Sequence, residues 1–293
     1  MRPRVAAAGA ILALWAGGMA VLAHRQRPGG EAARLAQAAL FVSPGAEYYQ
    51  VSDGARQIGF ASSTIDTSAT EVRIADFVVA DRDTTAFGAR KRLAARMTMS
   101  LTRTLRLERF RYELGADAGP FVAIGRVLGD SILALTVTGK TGRPERHRIR
   151  LDGPLFLPTM VPMVIALGDR PRVGQRYTYD VFDPLTDSTA TATIVVRAES
   201  LFVLPDSATY DASTKRWTEA HLDSVHAWRI EDTSGGPLTG WIDGAGRMVQ
   251  AEPVPGVQLR RTAYELAYSN WTHDVAHAAH LAASPHPPSP PTP

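Results

Sequence analysis

From residue 47 onward apolar side chains recur at every second position, the period of a strand with one face buried. Residues 47–51, 58–67 and 71–81 read as the first three strands, and Ser52-Asp53-Gly54 supplies the turn between the first two. The third alternates through Val72 and Ile74 and resumes at Phe77 and Val79, so the slip near Ala75 predicts a β-bulge. Residues 90–104 form a fourth strand, with Met97, Met99 and Leu101 on one face and Thr98, Ser100 and Thr102 on the other. Residues 107–114 turn Phe110, Tyr112 and Leu114 inward, and 121–128, 131–138 and 146–151 continue the meander. No long amphipathic helix interrupts these strands, which argues against a parallel α/β sheet.

The pattern breaks at residues 151–186, the most apolar run outside the N-terminus. Residues 155–158 read as extended and 159–167 as two helical turns, with Pro162 tolerated in the first turn. Strands resume at 175–182, 190–199 and 201–204, followed by a polar insertion loop at 205–222 and a strand at 224–232. Residues 238–242 and 247–253 make a hairpin around Asp243-Gly244-Ala245-Gly246, and 257–268 is the last strand. A short helix is expected within 270–283, before a Pro-rich extended tail from 284. The fold class is therefore mainly β. It is a long curved antiparallel sheet of about 12 strands, or two abutting half-sheets (46–151 and 175–268) joined by a bridge with a short helix at 152–174.

The N-terminus follows a different pattern. After a basic start, an uncharged run opens at Val5 and closes at Ala23, and as a helix it would span about 28 Å, near the thickness of a hydrocarbon core. Two readings of residues 1–27 stay open: a retained single-span anchor, or a signal peptide cleaved after Val21-Leu22-Ala23. Arg25 and Arg27 disfavour cleavage. Both readings place residues 46–268 outside the cytoplasm, either anchored to the inner membrane of a bacterial envelope or released to the periplasm, with residues 28–45 as a linker carrying a short helix.

Charge reinforces that division. Arg2, Arg4, Arg25 and Arg27 account for the apparent basicity, because without them 28 basic residues face 29 acidic ones. Nucleic acid is therefore not an expected partner. The chain has no cysteine, which excludes disulfides, thiolate metal sites and a cysteine nucleophile.

Three groups of residues carry candidate chemistry. Met97, Met99, Leu101, Phe110, Tyr112 and Leu114 share one face of the sheet and could line an apolar ligand cavity, unless the 159–167 helix fills it as core. His273, His277 and His280 fall on one face of the C-terminal helix, a spacing that suits zinc or copper, although a metal site usually draws ligands from more than one element. The cations from Arg90 to Arg111, with Arg146, His147, Arg148 and Arg150, either form a face for anionic headgroups or pair with acids on neighbouring strands. Asp183, before Pro184, reads as a turn cap. No nucleophile elbow, zinc-protease motif or phosphate loop is present, so neither an enzyme nor a cofactor is expected.

Several segments also recur in a familiar order. Tyr48-Tyr49 precedes Ile58-Gly59-Phe60, and the strand at 110–114 is followed by Gly125 and Gly129. Next come Leu151-Asp152-Gly153-Pro154 with Pro158, then Val181-Phe182-Asp183-Pro184, then segments 241–246 and 260–267. Over roughly residues 46–268 this series resembles the β-rich N-terminal accessory domain of bacterial transglutaminase-like proteins. That family's catalytic core uses a Cys-His-Asp triad, so no catalytic residue carries over to a chain without cysteine. The resemblance implies an accessory domain standing alone on a membrane anchor. The function expected is non-enzymatic: a membrane-anchored envelope protein that binds a partner protein or an amphiphile. The alternatives are a periplasmic lipid carrier or sensor, and a metal-dependent enzyme using the C-terminal histidines.

Overall fold

A computed structural model describes residues 36, 39–84, 89–115, 120–168, 170–236 and 238–275. The proposed signal or anchor, His277, His280 and the Pro-rich tail lie outside the described residues. Among those described, no helix is long and apolar enough to cross a membrane.

Eight strands form the first meander: β1 (Gly45–Asp53), β2 (Arg56–Thr67), β3 (Glu71–Thr84), β4 (Ala89–Thr102), β5 (Leu107–Gly115), β6 (Phe121–Leu128), β7 (Ile132–Thr138) and β8 (Pro144–Arg150). Six form the second: β9 (Arg176–Asp183), β10 (Ser188–Asp211), β11 (Arg216–Asp232), β12 (Thr239–Asp243), β13 (Met248–Val254) and β14 (Val257–Thr262). They make one antiparallel sheet of 14 strands in the order β8 to β1, then β14 to β9. The halves do not merely abut. They are laddered together from Tyr48 opposite Thr262 to Asp53 opposite Val257.

The two outer strands, β8 and β9, curl towards each other. A strap from residue 151 to 157 runs between them, and the Phe182 amide donates to the Phe156 carbonyl at 2.8 Å. His147 Nδ1 of β8 lies 3.0 Å from Asp187 Oδ2 in the β9–β10 turn, and the rings of Phe110 (β5) and Phe182 (β9) are 5.8 Å apart. The inner face is thereby wrapped into an enclosed core.

A 3₁₀ turn at Pro158–Met160 leads into a helix at Val161–Gly168, close to the predicted span. Residues 161 to 166 of this helix are all buried. A helix apolar on every side is stable only when surrounded, and this one is enclosed by Met99, Leu101, Phe182, Ile194, Ile230 and Ile242. Each such side chain contributes about 1.5–3 kcal/mol by leaving water. The helix therefore plugs one end of the wrapped sheet.

Three expectations require correction. The register of β3 against β2 and β4 is unbroken, so there is no bulge near Ala75. Val72 and Ile74 face the core, whereas Phe77 and Val79 pack on the outer face against the C-terminal helix. The supposed phase error is a strand covered on both sides. The last strand ends at Thr262 rather than 268, because residues 264–275 are helical, with a π-helical stretch at Glu265–Ser269. Tyr264, Ala267, Tyr268 and Trp271 follow helical spacing and close an aromatic cluster over Tyr48 and Phe60, with Tyr48–Tyr264 at 5.0 Å and Phe60–Tyr268 at 5.1 Å. Such pairs contribute about 0.5–1.5 kcal/mol each beyond their burial.

Finally, the polar segment at 205–222 is no loop. β10 and β11 run through it as one long hairpin with register shifts around Pro205 and Ser207. It is polar because it reaches beyond the core. Its tip docks on the C-terminal helix, where the Asn270 side chain and the Trp217 main chain exchange hydrogen bonds of 2.9 and 3.0 Å, and Arg216 pairs with Asp274 at 2.6 Å.

Candidate functional site

Beyond the plug helix the inner face is not filled. A cavity of about 810 Å³ lies between β1–β5 on one side and β9–β14 on the other, within the range of roughly 300–1,000 Å³ usual for small-molecule sites. Ile74, Met97, Met163, Ala192, Met248 and Leu259 give it mostly apolar walls. The β9–β10 turn (Asp183 to Ser188) and the β11–β12 turn (Asp232 to Thr239) form part of its rim.

The polar groups of the wall follow from strand register. Glu47, Ser63, Asp76, Met97 and Tyr112 lie opposite one another across β1 to β5, so their side chains share the inner face. Among the described lining residues, Asp76 is the carboxylate that stands mid-strand rather than at a strand end. Its Oδ1 accepts a 2.6 Å hydrogen bond from Ser63 Oγ, and its other oxygen has no hydrogen-bond partner among the described residues. Burial pushes its pKa up to about 6, with the Ser63 bond pulling the other way. Tyr49, one row along, is 5% exposed and lines the same cavity. Its hydroxyl receives no hydrogen bond among the described residues, and burial, with the charge of Glu47, holds it firmly protonated.

Arg247 is the only cation in the lining among the described residues, and it is already engaged. It sits 2.5 Å from Glu47 Oε1 and donates to the Ser43 carbonyl at 3.1 Å. Glu47 in turn lies 3.7 Å from Arg261, which reaches Asp243 at 2.7 Å. The two rim carboxylates are turn caps: Asp183 accepts from the Leu185 amide at 2.9 Å, and Asp232 from the Ser234 amide at 2.9 Å.

The raised pKa of Asp76 has a thermodynamic consequence. An unfolded aspartate ionises near 3.8, whereas Asp76 in the fold does so near 6. Folding therefore becomes less favourable as pH rises from about 4 to about 6, and the cost persists above that. Asp76→Asn should stabilise the protein by on the order of 2 kcal/mol at pH 7.5, a figure discounted for water reaching the carboxylate through the cavity. At pH 4 it should change little. Urea denaturation at the two pH values checks this; an equal effect at both would show that charge burial is not the cause.

No family model and no curated protein matches the chain. Among solved structures it is similar to a beta-barrel-like protein of a domain of unknown function, DUF1849, from Brucella abortus. The two are 14% identical with a TM-score of 0.48, over 75% of this chain and 95% of that one.

The residues predicted from sequence to line a cavity divide into two sets. Met97 and Tyr112 line it. Met99, Leu101 and Phe110 lie in the core with the plug helix, where Thr159 Oγ1 is 4.0 Å from Met99 Sδ. Leu114, half-buried further along β5, does not reach it. Tyr112 is shifted upward by burial and by the charge of Asp183, which places β5 and the rim turn within electrostatic reach of each other.

His273 lies 3.7 Å from Asp274, while His277 and His280 are outside the described residues. No group that could hold a metal occurs among the described residues. Much of the basic stretch is paired: Arg92 with Asp81, Arg106 with Asp130, Arg109 with Glu71 and Arg111 with Glu113. Arg96 lies over the Phe77 ring at 5.5 Å. Arg146, Arg148 and Arg150 project outward from the terminal strand β8 and are exposed.

Sequence reasoning missed Asp76, Ser63 and Tyr49. The signal for Asp76 was present in the alternation. It occupies the inward position after Ile74, where a charge looks like a break in phase rather than a deliberate polar point.

Proposed function

We propose that this protein is a non-catalytic binding module of the bacterial cell envelope that holds a single-chain amphiphile within its sheet. The cavity carries this reading: it is large, mainly apolar, and continuous with a rigid core. The basic start and uncharged run of residues 1–23 support the envelope location. The absence of a catalytic motif and the resemblance to an accessory domain support a role in binding.

Titration of the purified full chain with the neutral fluorophore N-phenyl-1-naphthylamine tests the reading. Saturable one-to-one binding is expected. Met97→Trp and Leu259→Trp fill the cavity from opposite walls, and each should weaken binding by at least about tenfold, equivalent to about 1.4 kcal/mol. Circular dichroism confirms that each variant is folded. The absence of saturable binding, or undiminished binding in both folded variants, would overturn the reading.

A further inference from the structure

The cavity is apolar, but its polar groups are not neutral in sign. Asp76, Asp183 and Asp232 reach it as carboxylates, against Arg247 as the cation among the described lining residues. Arg247 is neutralised by Glu47 and held by the Ser43 carbonyl, so it has little left to offer an anionic ligand. Asp183 spends both oxygens on its own turn, and Asp232 commits Oδ1 to the amide and hydroxyl of Ser234 in the turn that follows it. Asp76 differs in its setting: it stands within β3 rather than at a turn, only Ser63 bonds to it, and it lines the cavity. On the same face, Tyr49 lines the cavity, and its hydroxyl has no hydrogen-bond partner among the described residues.

In a mainly apolar cavity, an acceptor and a phenol with unused hydrogen-bonding capacity on one wall are the points at which a ligand's polar head can be held. We infer that Tyr49, Ser63 and Asp76 form the headgroup-recognition point of the cavity, and that the head they take is an aliphatic amine. This rests on the amphiphile-binding reading and supplies its specificity. An ammonium presents several N–H donors and a charge opposite to that of Asp76, whereas a fatty-acid carboxylate would meet a like charge in a poorly solvated wall. Discrimination against the carboxylate is therefore the stronger half of the selectivity.

The surroundings of Asp76 keep this selectivity under the control of one group. On β1, Glu47 lies two strands away in the same row and is bound to Arg247, and Tyr49 is protonated. On β2, Ser63 is neutral, and on β4 the facing residue is Met97. From β14 and the end of β12 come Arg261 and Asp243, which are paired with each other, and Asp183 and Asp232 line the cavity as turn caps. Asp76 owes its perturbation to burial rather than to a charged neighbour. As pH falls through about 6 it becomes neutral, and its hold on an ammonium weakens.

Displacement of N-phenyl-1-naphthylamine from the full chain by dodecylamine, 1-dodecanol and dodecanoate tests the inference. At pH 7.5 dodecylamine should displace the probe at a concentration at least about tenfold below that of dodecanoate, with the alcohol between them. The advantage of the amine over the alcohol should shrink at pH 5. Asp76→Asn should abolish that advantage at pH 7.5, and Tyr49→Phe should reduce it. If the probe saturates but the three heads displace it equally, or the acid displaces it best, the inference fails while the cavity reading stands. Selectivity retained in Asp76→Asn also overturns it. If the probe does not saturate at all, the binding reading itself has failed.

Discussion

Gly246→Ala is expected to cost at least about 3 kcal/mol of stability, combining backbone strain with a clash that neither side can relieve cheaply. Gly246 closes the β12–β13 turn with φ of +76°, where a side chain is strained whatever the space around it. Space is also lacking. A Cβ there would lie 2.3 Å from Met163 Cα and 2.7 Å from the Pro162 carbonyl oxygen. Both atoms belong to the plug helix backbone, so the hairpin or the helix must move. Gly54 is the natural control, with a similar φ of +56° and nothing within 4 Å of its added Cβ. Gly54→Ala should lose only the strain, about 1–2 kcal/mol. Urea denaturation of both variants separates the two contributions, and equal losses would mean that the helix does not rest on the turn as described. Because Met163 and Gly246 both line the cavity, Gly246→Ala should also weaken probe binding, whereas Gly54→Ala should not.

The fold was most legible where one face of a strand is buried and the other wet. There the alternation states the register, and the strand read at 121–128 is β6 as it stands, while 107–114 matches β5 to within one residue. The plug helix was legible for a related reason: a short, wholly apolar run bounded by proline and glycine has no stable place except the interior. Legibility failed where both faces share one condition. β3 is covered on both sides and looked bulged, while the far halves of β10 and β11 are mainly exposed and looked like a loop. The C-terminal helix was concealed by its own aromatics, because Tyr264, Tyr268 and Trp271 favour strands as single residues and become a helical stripe only when the outer face of β1–β3 receives them.

The candidate site divides along the same line. Its apolar part was readable, because Met97 and Tyr112 lie on the inward face by periodicity alone. Which inward residues would meet the helix and which would meet the cavity was not readable. That depends on how far Val161–Gly168 penetrates, a contact between segments some sixty residues apart. The polar part was hidden for a different reason. Tyr49 and Ser63 are ordinary strand residues, and only the pairing of β1, β2 and β3 brings them beside Asp76.

Arg261→Met should cost about 3–5 kcal/mol, the penalty for leaving buried carboxylates without their cation. The Arg261 side chain is 9% exposed and bridges Asp243 at 2.7 Å and Glu47 at 3.7 Å. With Arg247 on the far side of Glu47, the four alternate in sign and sum to zero. Methionine keeps most of the length of the side chain, so the loss reports charge rather than a void. Asp243 also accepts the amides of Ala245 and Arg247, both at 2.9 Å, and so shapes the turn that carries Gly246. Its destabilisation therefore reaches the plug helix and the cavity, and Arg261→Met should weaken probe binding although it is no part of the lining. Adding Asp243→Asn removes the orphaned charge while keeping an acceptor for the two amides. The double variant should consequently lose at least about 1.5 kcal/mol less than the sum of the single losses. Strict additivity in that cycle would show that the two charges act independently, and the turn would then need another explanation for its rigidity.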